Sequence, residues 1–273
     1  MTVTAYSNGS GLDGDQGPEP YPDAAYDRSY PHSLASHVGN GRVHYDGIAG
    51  DRHFATFIEV LKQTDPQVLA DSADALAFWI NAYNALVMRG VIDFDVPENL
   101  EAVGLGLFVS SIEYEVAGLT ISLDALENGI VRDDESHPSV SILPQQLEDR
   151  LMLLHPQLFN DRTVDPRVHF AITCAAMSCP KLLSIPYQEA TLDSALDANT
   201  RAYLASPKGL VPHTDAPTEY SDLFQWFEAD FARAYSSVFN FVRNHVPIES
   251  FARMSPPTGA SYLAYDWTVS AIR

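Results

Sequence analysis

Apolar side chains recur at helical spacing in several stretches of this chain. Over residues 51–63 they fall on one face of a helix, and Pro66 ends the pattern because the residue before a proline disfavours helix. A second stripe predicts a helix over 71–89, with Asp71 or Ser72 as its N-cap and Gly90 as its stop. By the same criterion helices are predicted over 123–132, 192–205, 223–235 and 238–245, with a brief helix or turn over 147–154.

Alternating polar and apolar positions predict a few short strands. Gly118 lies between two such stretches and is typical of the turn of a hairpin. Strands are predicted over 111–117, 119–121, 167–173 and 262–269. Because helices dominate and the strands follow no regular β–α alternation, the expected fold class is α+β, predominantly helical with a small antiparallel sheet.

The first 32 residues differ in composition from the rest. They are rich in Gly, Pro, Asp, Ser and Tyr and have few aliphatic side chains, so they cannot bury enough apolar surface to offset the entropy of ordering. We therefore predict a disordered leader over 1–32 and a single domain over 33–273.

Composition and charge exclude several classes of partner. The formal net charge of -20 and the pI of about 4.6 make nucleic acid an unfavourable partner, because phosphates repel such a surface. No apolar run approaches the roughly 18 residues that span a bilayer, and the N-terminus lacks the features of a secretory signal. The expected location is the cytoplasm. No cofactor motif of the GxGxxG, Walker or HExxH type is present, so no cofactor is expected.

Both cysteines lie in one short segment, a few residues after a histidine. His169 precedes Cys174 and Cys179, and an imidazole that takes the thiol proton is what a nucleophilic cysteine needs. On the predicted strand His169 points away from Val168 and from the other apolar residues of the core face. The segment is therefore the candidate site of thiol chemistry.

The two cysteines are not equivalent candidates. Cys174 is followed by Ala175 and Ala176, which fits a packing role. Cys179 precedes Pro180, where a turn or helix start would place amide donors near a thiolate. Three alternatives stay open: His169 is a buried structural histidine, the two cysteines form a short-loop disulfide, or they join His169 in a metal site that would need a distant further ligand.

A third group would have to orient the histidine. Glu127 is the candidate by position, because it lies on the predicted 123–132 helix and faces partly toward its apolar side. A salt bridge to Arg132 is the structural alternative. Asn81 and Asn84 lie inside a strongly apolar helix, and we expect them to tie neighbouring loops to it through hydrogen bonds.

Four blocks of the sequence together resemble the DUF547 family, which has no assigned function. They are AFWINAYNAL at 77–86, SLDALENGIVR at 122–132, DPRVHFAITC at 165–174 with SCP at 178–180, and FQWFEADF at 224–231 with YDW at 265–267. The resemblance covers roughly residues 35–270. It implies a fold like that of papain-like cysteine peptidases and a Cys-His-Glu site formed by Cys179, His169 and Glu127, although the chain order of the three differs from that of papain.

The residues and the resemblance together favour a thiol-dependent hydrolase or acyl transferase acting on an amide or ester bond. Cys179 would attack the carbonyl, His169 would act as base and then acid, and Glu127 would orient His169. Backbone amides near Ser178 to Lys181 would form the oxyanion site. The substrate would be a small molecule or peptide of unknown identity. The alternative is a non-catalytic interaction module that retains the fold.

Overall fold

Helices make up most of the described chain. The structure is a computed structural model that describes residues 29–65, 69, 75–96, 98–132, 165–213, 215–257 and 261–272. The α-helices are α1 (Tyr30–His37), α2 (Tyr45–Ala49), α3 (Arg52–Gln63), α4 (Ala75–Asp93), α5 (Leu105–Ser110), α6 (Leu123–Ala125), α7 (Leu192–Leu204), α8 (Leu223–Trp226), α9 (Glu228–Tyr235), α10 (Val238–His245) and α11 (Ile248–Phe251). A π-helical turn, Leu126–Val131, continues α6, and 3-10 helices cover Leu100–Ala102, Pro166–Phe170 and Glu189–Thr191.

The strands of the described residues are short and form three small sheets. They are β1 (Val38–Gly39), β2 (Arg42–Val43), β3 (Glu113–Val116), β4 (Leu119–Ser122), β5 (Leu210–Val211), β6 (Glu219–Ser221) and β7 (Tyr262–Leu263). The pairs β1–β2 and β3–β4 are antiparallel hairpins. In the third sheet β6 pairs with β5 antiparallel and with β7 parallel. The α+β class with small, mainly antiparallel sheets is thus confirmed.

Helix α4 is the centre of the larger hydrophobic core. Its side chains are buried around most of its circumference, from Ala75 to Val91, as expected for a helix that is apolar on all sides. With 19 residues it is long and apolar enough to cross a membrane, contrary to the expectation that no segment reaches that length, but 83% of its most apolar window is buried inside the fold. That burial is typical of a core helix.

A second core, rich in aromatic residues, lies beside the first. It is built from α7 to α10 and from the end of the Pro166–Phe170 helix, with Phe170, Phe224, Phe231 and Phe241 fully buried. Phe170 lies within 6.1 Å, between ring centroids, of each of the other three. The candidate site lies where the two cores meet.

Several element boundaries differ from those predicted. Tyr30 was assigned to the leader, but it is buried and stacks on Phe57 with ring centroids 4.0 Å apart, because Pro31 at the first turn starts α1 earlier. Helix α4 continues through Gly90 to Asp93. The helix predicted over 223–235 is interrupted at Phe227. The proposed caps Asp71 and Ser72, the 147–154 element and most of the 1–32 leader lie outside the described residues.

The C-terminal segment returns to residues 171–180, which carry both cysteines and which we call the cysteine loop. Backbone amides of Met177 and Ser178 donate to the carbonyls of Thr268 (2.7 Å) and Asp266 (3.1 Å), and Ser270 donates to Ala175 (2.7 Å). The predicted final strand is therefore a short strand, Tyr262–Leu263, followed by isolated bridges. These contacts fix the cysteine loop from one side.

Candidate active site

A cavity of about 560 Å³ opens between the two cores. It contains all three residues that the sequence analysis selected, namely His169, Cys179 and Glu127, together with Cys174. The remaining lining is largely apolar and aromatic, which is the usual character of a ligand pocket. The structure thus brings the predicted site residues to one place.

His169 lies on a 3-10 helix and not on the strand that was predicted. Asp165 caps this helix by accepting the amide proton of Arg167 at 3.0 Å, and Pro166 occupies its first turn. Pro166 has the fixed backbone angle that a helix start requires, so the local Asp-Pro signal outweighs the β-forming side chains that follow. The face assigned to His169 by strand alternation was therefore wrong.

The His169 ring is held by Asp230. Its Nε2 lies 2.8 Å from Oδ2 of Asp230, and the ring stacks on Phe227 with centroids 4.0 Å apart. The same carboxylate oxygen accepts a hydrogen bond from Nε of Arg132 at 3.0 Å. The orienting contact that was predicted for Glu127 is made in this structure by Asp230.

The charges of this group follow from its burial and its hydrogen bonds. Burial lowers the pKa of His169, and Asp230 only partly opposes this effect. For Asp230, burial alone would raise the pKa, but the hydrogen bonds from His169 and Arg132 outweigh it and lower the pKa. An ionised Asp230 can only accept, so Nε2 of a neutral His169 carries the proton and Nδ1 carries the lone pair. Nδ1 is buried and has no hydrogen-bond partner among the described residues.

Cys174 and Cys179 are joined in a disulfide. Of the alternatives that the sequence left open, this structure shows the disulfide. Cys179 is 2% exposed, whereas Cys174 is partly exposed. Cys174 packs against the larger core as predicted, although it is only partly buried and Cys179 is the more buried member of the pair.

Within the described chain, two groups donate hydrogen bonds to the Cys179 sulfur. The amide of Cys174 donates to it at 3.0 Å and the hydroxyl of Tyr265 at 3.2 Å. The Tyr265 oxygen also lies 3.3 Å from the Cys174 sulfur, and burial raises the pKa of Tyr265 well above its ordinary value, so this hydroxyl keeps its proton. Cys179 was expected to gain amide donors from a helix start, but its donors come from Cys174 and Tyr265.

The backbone of the cysteine loop is fixed and locally strained. Ala175 has a φ of 66°, a left-handed conformation that costs a residue with a Cβ about 1–2 kcal/mol. The amides of Ser178 and Cys179 already donate to the carbonyls of Asp266 and Ala176. Of the amides predicted near Ser178 to Lys181 for the oxyanion site, these two are therefore already engaged in hydrogen bonds.

Helix α4 holds the start of this loop through Asn84. Its side chain donates to the carbonyl of Ala171 at 3.0 Å and accepts from the amide of Thr173 at 2.9 Å. Asn81 makes the same pair of bonds to the backbone of Tyr187, at 2.7 and 2.9 Å. The prediction that both asparagines tie loops to the helix is confirmed.

Glu127 lies in the π-helical turn that follows α6. Tyr83 of α4, itself fully buried, donates its hydroxyl to Oε2 of Glu127 at 2.5 Å. Burial raises the pKa of Glu127, and the effects of Tyr83 and Arg132 only partly offset it. The extra residue of a π turn is often found at functional sites. The proposed Glu127–Arg132 salt bridge is absent, because within the described chain Arg132 is paired with Asp230.

The aromatic side of the cavity is formed by three neighbouring rings. Trp226 and Trp267 stack with centroids 5.7 Å apart, and Tyr265 lies 4.7 Å and 4.4 Å from them. Together with Phe227 we call these rings the aromatic wall. Trp226 is 44% exposed, so the wall is open to an entering molecule.

Metal binding has no support among the described residues. No three His, Cys, Asp or Glu side chains of that part of the chain come together in an arrangement that could hold an ion. The proposed ligands Cys174 and Cys179 are not thiolates while they share a disulfide.

Sequence reasoning missed two residues of the site, Asp230 and Tyr265. Both fall within the fourth block of the family resemblance. Asp230 also carried a signal of its own, because it lies three positions after Phe227 and directly before Phe231 in an apolar helix face, and a buried carboxylate requires a partner. For Tyr265 no local signal exists, since its role arises from the return of the C-terminal segment.

Comparison with known proteins identifies the family of the chain. The profile of a family described as "Protein of unknown function, DUF547" matches residues 67–204, which is half of the chain. No curated protein matches, and no solved structure matches. The chain belongs to the DUF547 family.

Proposed function

We propose that this member of the DUF547 family is a thiol-dependent hydrolase or acyl transferase of amide or ester bonds, and that its disulfide form is the inactive state. One observation carries the proposal. His169 is fixed by Asp230 through Nε2, its basic Nδ1 has no partner within the described chain, and His169 lines the same cavity as both cysteines. A base with its lone pair unused beside a potential nucleophile is the arrangement that thiol catalysis needs.

Cys179 is the better nucleophile of the two. Its sulfur already accepts hydrogen bonds from the Cys174 amide and from Tyr265, and such donors stabilise a thiolate. The partly exposed Cys174 is the sulfur that a reductant reaches first. Attack there by a thiolate forms a mixed disulfide on Cys174 and releases Cys179 as thiolate. A second thiol of the reductant then frees Cys174, so that the reductant ends as its own disulfide.

The chemical steps use groups that the cavity supplies. Nδ1 of His169 takes the proton of Cys179, whose sulfur bonds to the carbonyl carbon, and His169 then gives the proton to the leaving amine or alcohol. Water or another acceptor, deprotonated by His169, attacks the resulting thioester and releases the thiol. Asp230 holds the ring in the required tautomer, and the Tyr265 hydroxyl donates to the developing oxyanion in this proposal.

Glu127 does not orient the histidine in this proposal. It remains a residue of the cavity, and its role is considered below. The papain-like fold that the resemblance implied and the cytoplasmic location stay predictions. In a reducing compartment the disulfide would be open for most of the time, since persistent disulfides are rare there.

The decisive experiment compares two single-cysteine variants. Cys174→Ala removes the disulfide and leaves the proposed nucleophile free, whereas Cys179→Ala removes the nucleophile and leaves a matched thiol. With p-nitrophenyl acetate, Cys174→Ala is expected to release a burst of one nitrophenol per protein, because the acyl-enzyme forms faster than it decays. Cys179→Ala should give no burst, and wild type should give one only after reduction.

Labelling by iodoacetamide at about pH 6 tests the same assignment without a substrate, since an unperturbed thiol of pKa about 8.5 reacts slowly there. Cys179 in the Cys174→Ala variant should react at least ten-fold faster than Cys174 in the Cys179→Ala variant. Adding His169→Gln should abolish the difference. Equal, slow labelling of both thiols with no burst would reject the enzyme.

The same data would then favour a second candidate, a non-catalytic interaction module. The observation on its side is the disulfide itself, which leaves neither sulfur nucleophilic. In that case the bond would be structural, and both single-cysteine variants should lose thermal stability without differing in reactivity.

A further inference from the structure

Glu127 is a positioned carboxylate for which the described chain supplies no cation in contact. Glu127 lines the cavity, and the only hydrogen bond to its carboxyl group within the described chain comes from Tyr83. No Lys, Arg or His of those residues lies within 4 Å of it. The positive charge of Arg132 lowers the pKa of Glu127. The Arg132 guanidinium, however, donates to Asp230 and Asn128 and lies 4.7 Å from the centre of the Phe227 ring.

The pKa of Glu127 reflects this environment. Burial raises it, and the nearby Asp124, which also lines the cavity, acts in the same direction. A bound cation would reverse both effects, because an opposite charge within about 4–6 Å favours the ionised carboxylate. An anionic ligand would add a further like charge and would be disfavoured.

The aromatic wall supplies the second half of a cation site. Trp226, Tyr265 and Trp267 line the cavity as neighbouring rings, and the faces of Trp and Tyr attract ammonium groups that lie within about 6 Å of the ring centre. Neutral apolar molecules could use the wall as well, but they would leave the Glu127 carboxylate unpaired. The combination of wall and carboxylate therefore selects for positive charge.

This region adjoins the reacting atoms. Tyr265 belongs to the wall and also contacts the Cys179 sulfur at 3.2 Å. His169 lines the same cavity, and its buried Nδ1 has no hydrogen-bond partner among the described residues. A group bound by Glu127 and the wall would thus lie beside the carbonyl that Cys179 attacks.

We propose that the cavity binds its substrate through a protonated amine held by Glu127 against the aromatic wall, so that the substrate class is amides or esters of amine-bearing compounds. This inference rests on the proposed function only in calling the bound molecule a substrate. The amine site itself does not depend on thiol chemistry, and it can be tested in the oxidised protein and in Cys179→Ala.

Tryptophan fluorescence provides the measurement. Two of the three tryptophans, Trp226 and Trp267, line the cavity, whereas Trp79 is buried in the core. The probes are benzylamine, benzyl alcohol and benzoate, which share the ring and differ in charge. We expect saturable quenching by benzylamine in the millimolar range, about 1–10 mM, with at least ten-fold weaker binding of benzyl alcohol and no binding of benzoate.

The test variant is Glu127→Gln, which keeps an oxygen for Tyr83 and removes the charge. It should weaken benzylamine at least ten-fold and leave benzyl alcohol unchanged. Glu59→Gln, an exposed residue of α3 outside the cavity, is the matched control and should change neither. Benzylamine affinity of the wild type should rise as the pH is raised through the pKa of Glu127, and that dependence should vanish in Glu127→Gln.

Each contrary result overturns the amine site. It is rejected if benzylamine gives no saturable quenching at about 10 mM, if benzyl alcohol binds as tightly, or if Glu127→Gln binds benzylamine as well as wild type does. If these tests succeed and the cysteine burst fails, the cavity is an amine-binding site in a protein without the proposed enzyme activity.

Discussion

Asp230 is the residue on which the electrostatics of the site depend. Its buried carboxylate accepts from both His169 and Arg132, so it fixes the imidazole and neutralises a buried guanidinium at the same time. A carboxylate with one such task could be replaced by an amide at modest cost. With both tasks the group has to stay ionised, and this couples the folding of the domain to pH.

We expect the domain to lose stability as the pH falls from about 7 to about 5. Burial lowers the pKa of His169 in the folded state, so its contribution is fully present above the unfolded value of about 6.5 and is lost below it. The loss is about 1.4 kcal/mol for each unit by which the folded pKa lies below the unfolded one. The lowered pKa of Asp230 has the same sign, with its loss at lower pH.

Thermal unfolding at a series of pH values measures this effect. His169→Gln keeps an amide donor for Asp230 but cannot titrate, so its unfolding temperature should vary much less between pH 7 and 5. His213→Gln, a partly exposed histidine paired with Glu219, is the control and should behave like wild type. An unchanged slope in His169→Gln would show that other groups cause the acid sensitivity.

At the level of helices and strands, the sequence correctly predicted the elements whose signals are local. The β3–β4 hairpin, α3 and α10 follow from short-range periodicity. In the structure α3 and α10 are also capped by Asp51 and Ser237, whose side chains accept backbone amide protons. The 167–173 segment failed because two local signals conflicted. The Asp165-Pro166 start outweighed the β-forming residues, whose apolar side chains were then buried by tertiary packing.

The same distinction applies to the site. His169 and Cys179 lie ten residues apart, so their association was visible in the sequence. Asp230 and Tyr265 reach them only through the packing of α9 and the return of the C-terminal segment. No periodicity specifies which of many acidic residues meets a given histidine. Glu127 has a sequence position that fits this role, yet the contact with His169 is made by Asp230.

Two asparagines of helix α4 can be replaced to give a matched pair of variants. Asn84→Ala and Asn81→Ala each remove two buried hydrogen bonds to a loop backbone. Each should cost roughly 2–6 kcal/mol in the free energy of unfolding, because each leaves a buried donor and acceptor unpaired. Only Asn84 holds the start of the cysteine loop.

Asn84→Ala should therefore also reduce the labelling rate of Cys179, measured in the Cys174→Ala background under conditions where both variants are folded. Asn81→Ala, which holds Tyr187, should lose stability alone. Equal effects of the two variants on Cys179 would show that reactivity follows overall stability and does not depend on the anchoring of this loop.

At the level of the whole molecule, basic residues gather at the cysteine loop although the net charge of the chain is negative. The chain carries a formal charge of -20, yet two of its three lysines, Lys181 and Lys208, lie at this loop together with Arg42. Burial, and then the charges of Lys181 and Arg42, lower the pKa of Lys208, which donates to the Cys179 carbonyl at 3.4 Å. We call these three residues the basic cluster.

The basic cluster should favour anionic reductants of the disulfide. The quantity to compare is the rate of disulfide reduction by 2-mercaptoethanesulfonate divided by the rate for neutral 2-mercaptoethanol. We expect this ratio to fall as the salt concentration rises from about 10 mM to about 0.15 M, because the Debye length shortens from about 30 Å to about 8 Å. If the net charge dominated, the ratio would rise instead. Formation of free thiols with time gives both rates.

Lys181→Gln and Arg42→Gln should each reduce the ratio at low salt. Lys62→Gln removes the third lysine, which is paired with Glu115 on the β3–β4 hairpin, and should leave the ratio close to that of wild type. If Lys62→Gln has the same effect as Lys181→Gln, the salt dependence arises from the overall charge and not from the basic cluster.

The return of the C-terminal segment has a consequence for biosynthesis. The residues that clamp the cysteine loop are made after it, and 86 positions separate Cys179 from Tyr265. At ~5–20 residues per second this gap lasts roughly 4–17 s. Throughout that interval the loop lacks its bonds to Asp266, Thr268 and Ser270, so cellular thiols and oxidants reach both sulfurs more freely than in the finished fold. The speed of translation therefore influences whether a newly synthesised molecule completes folding as the dithiol or as the disulfide.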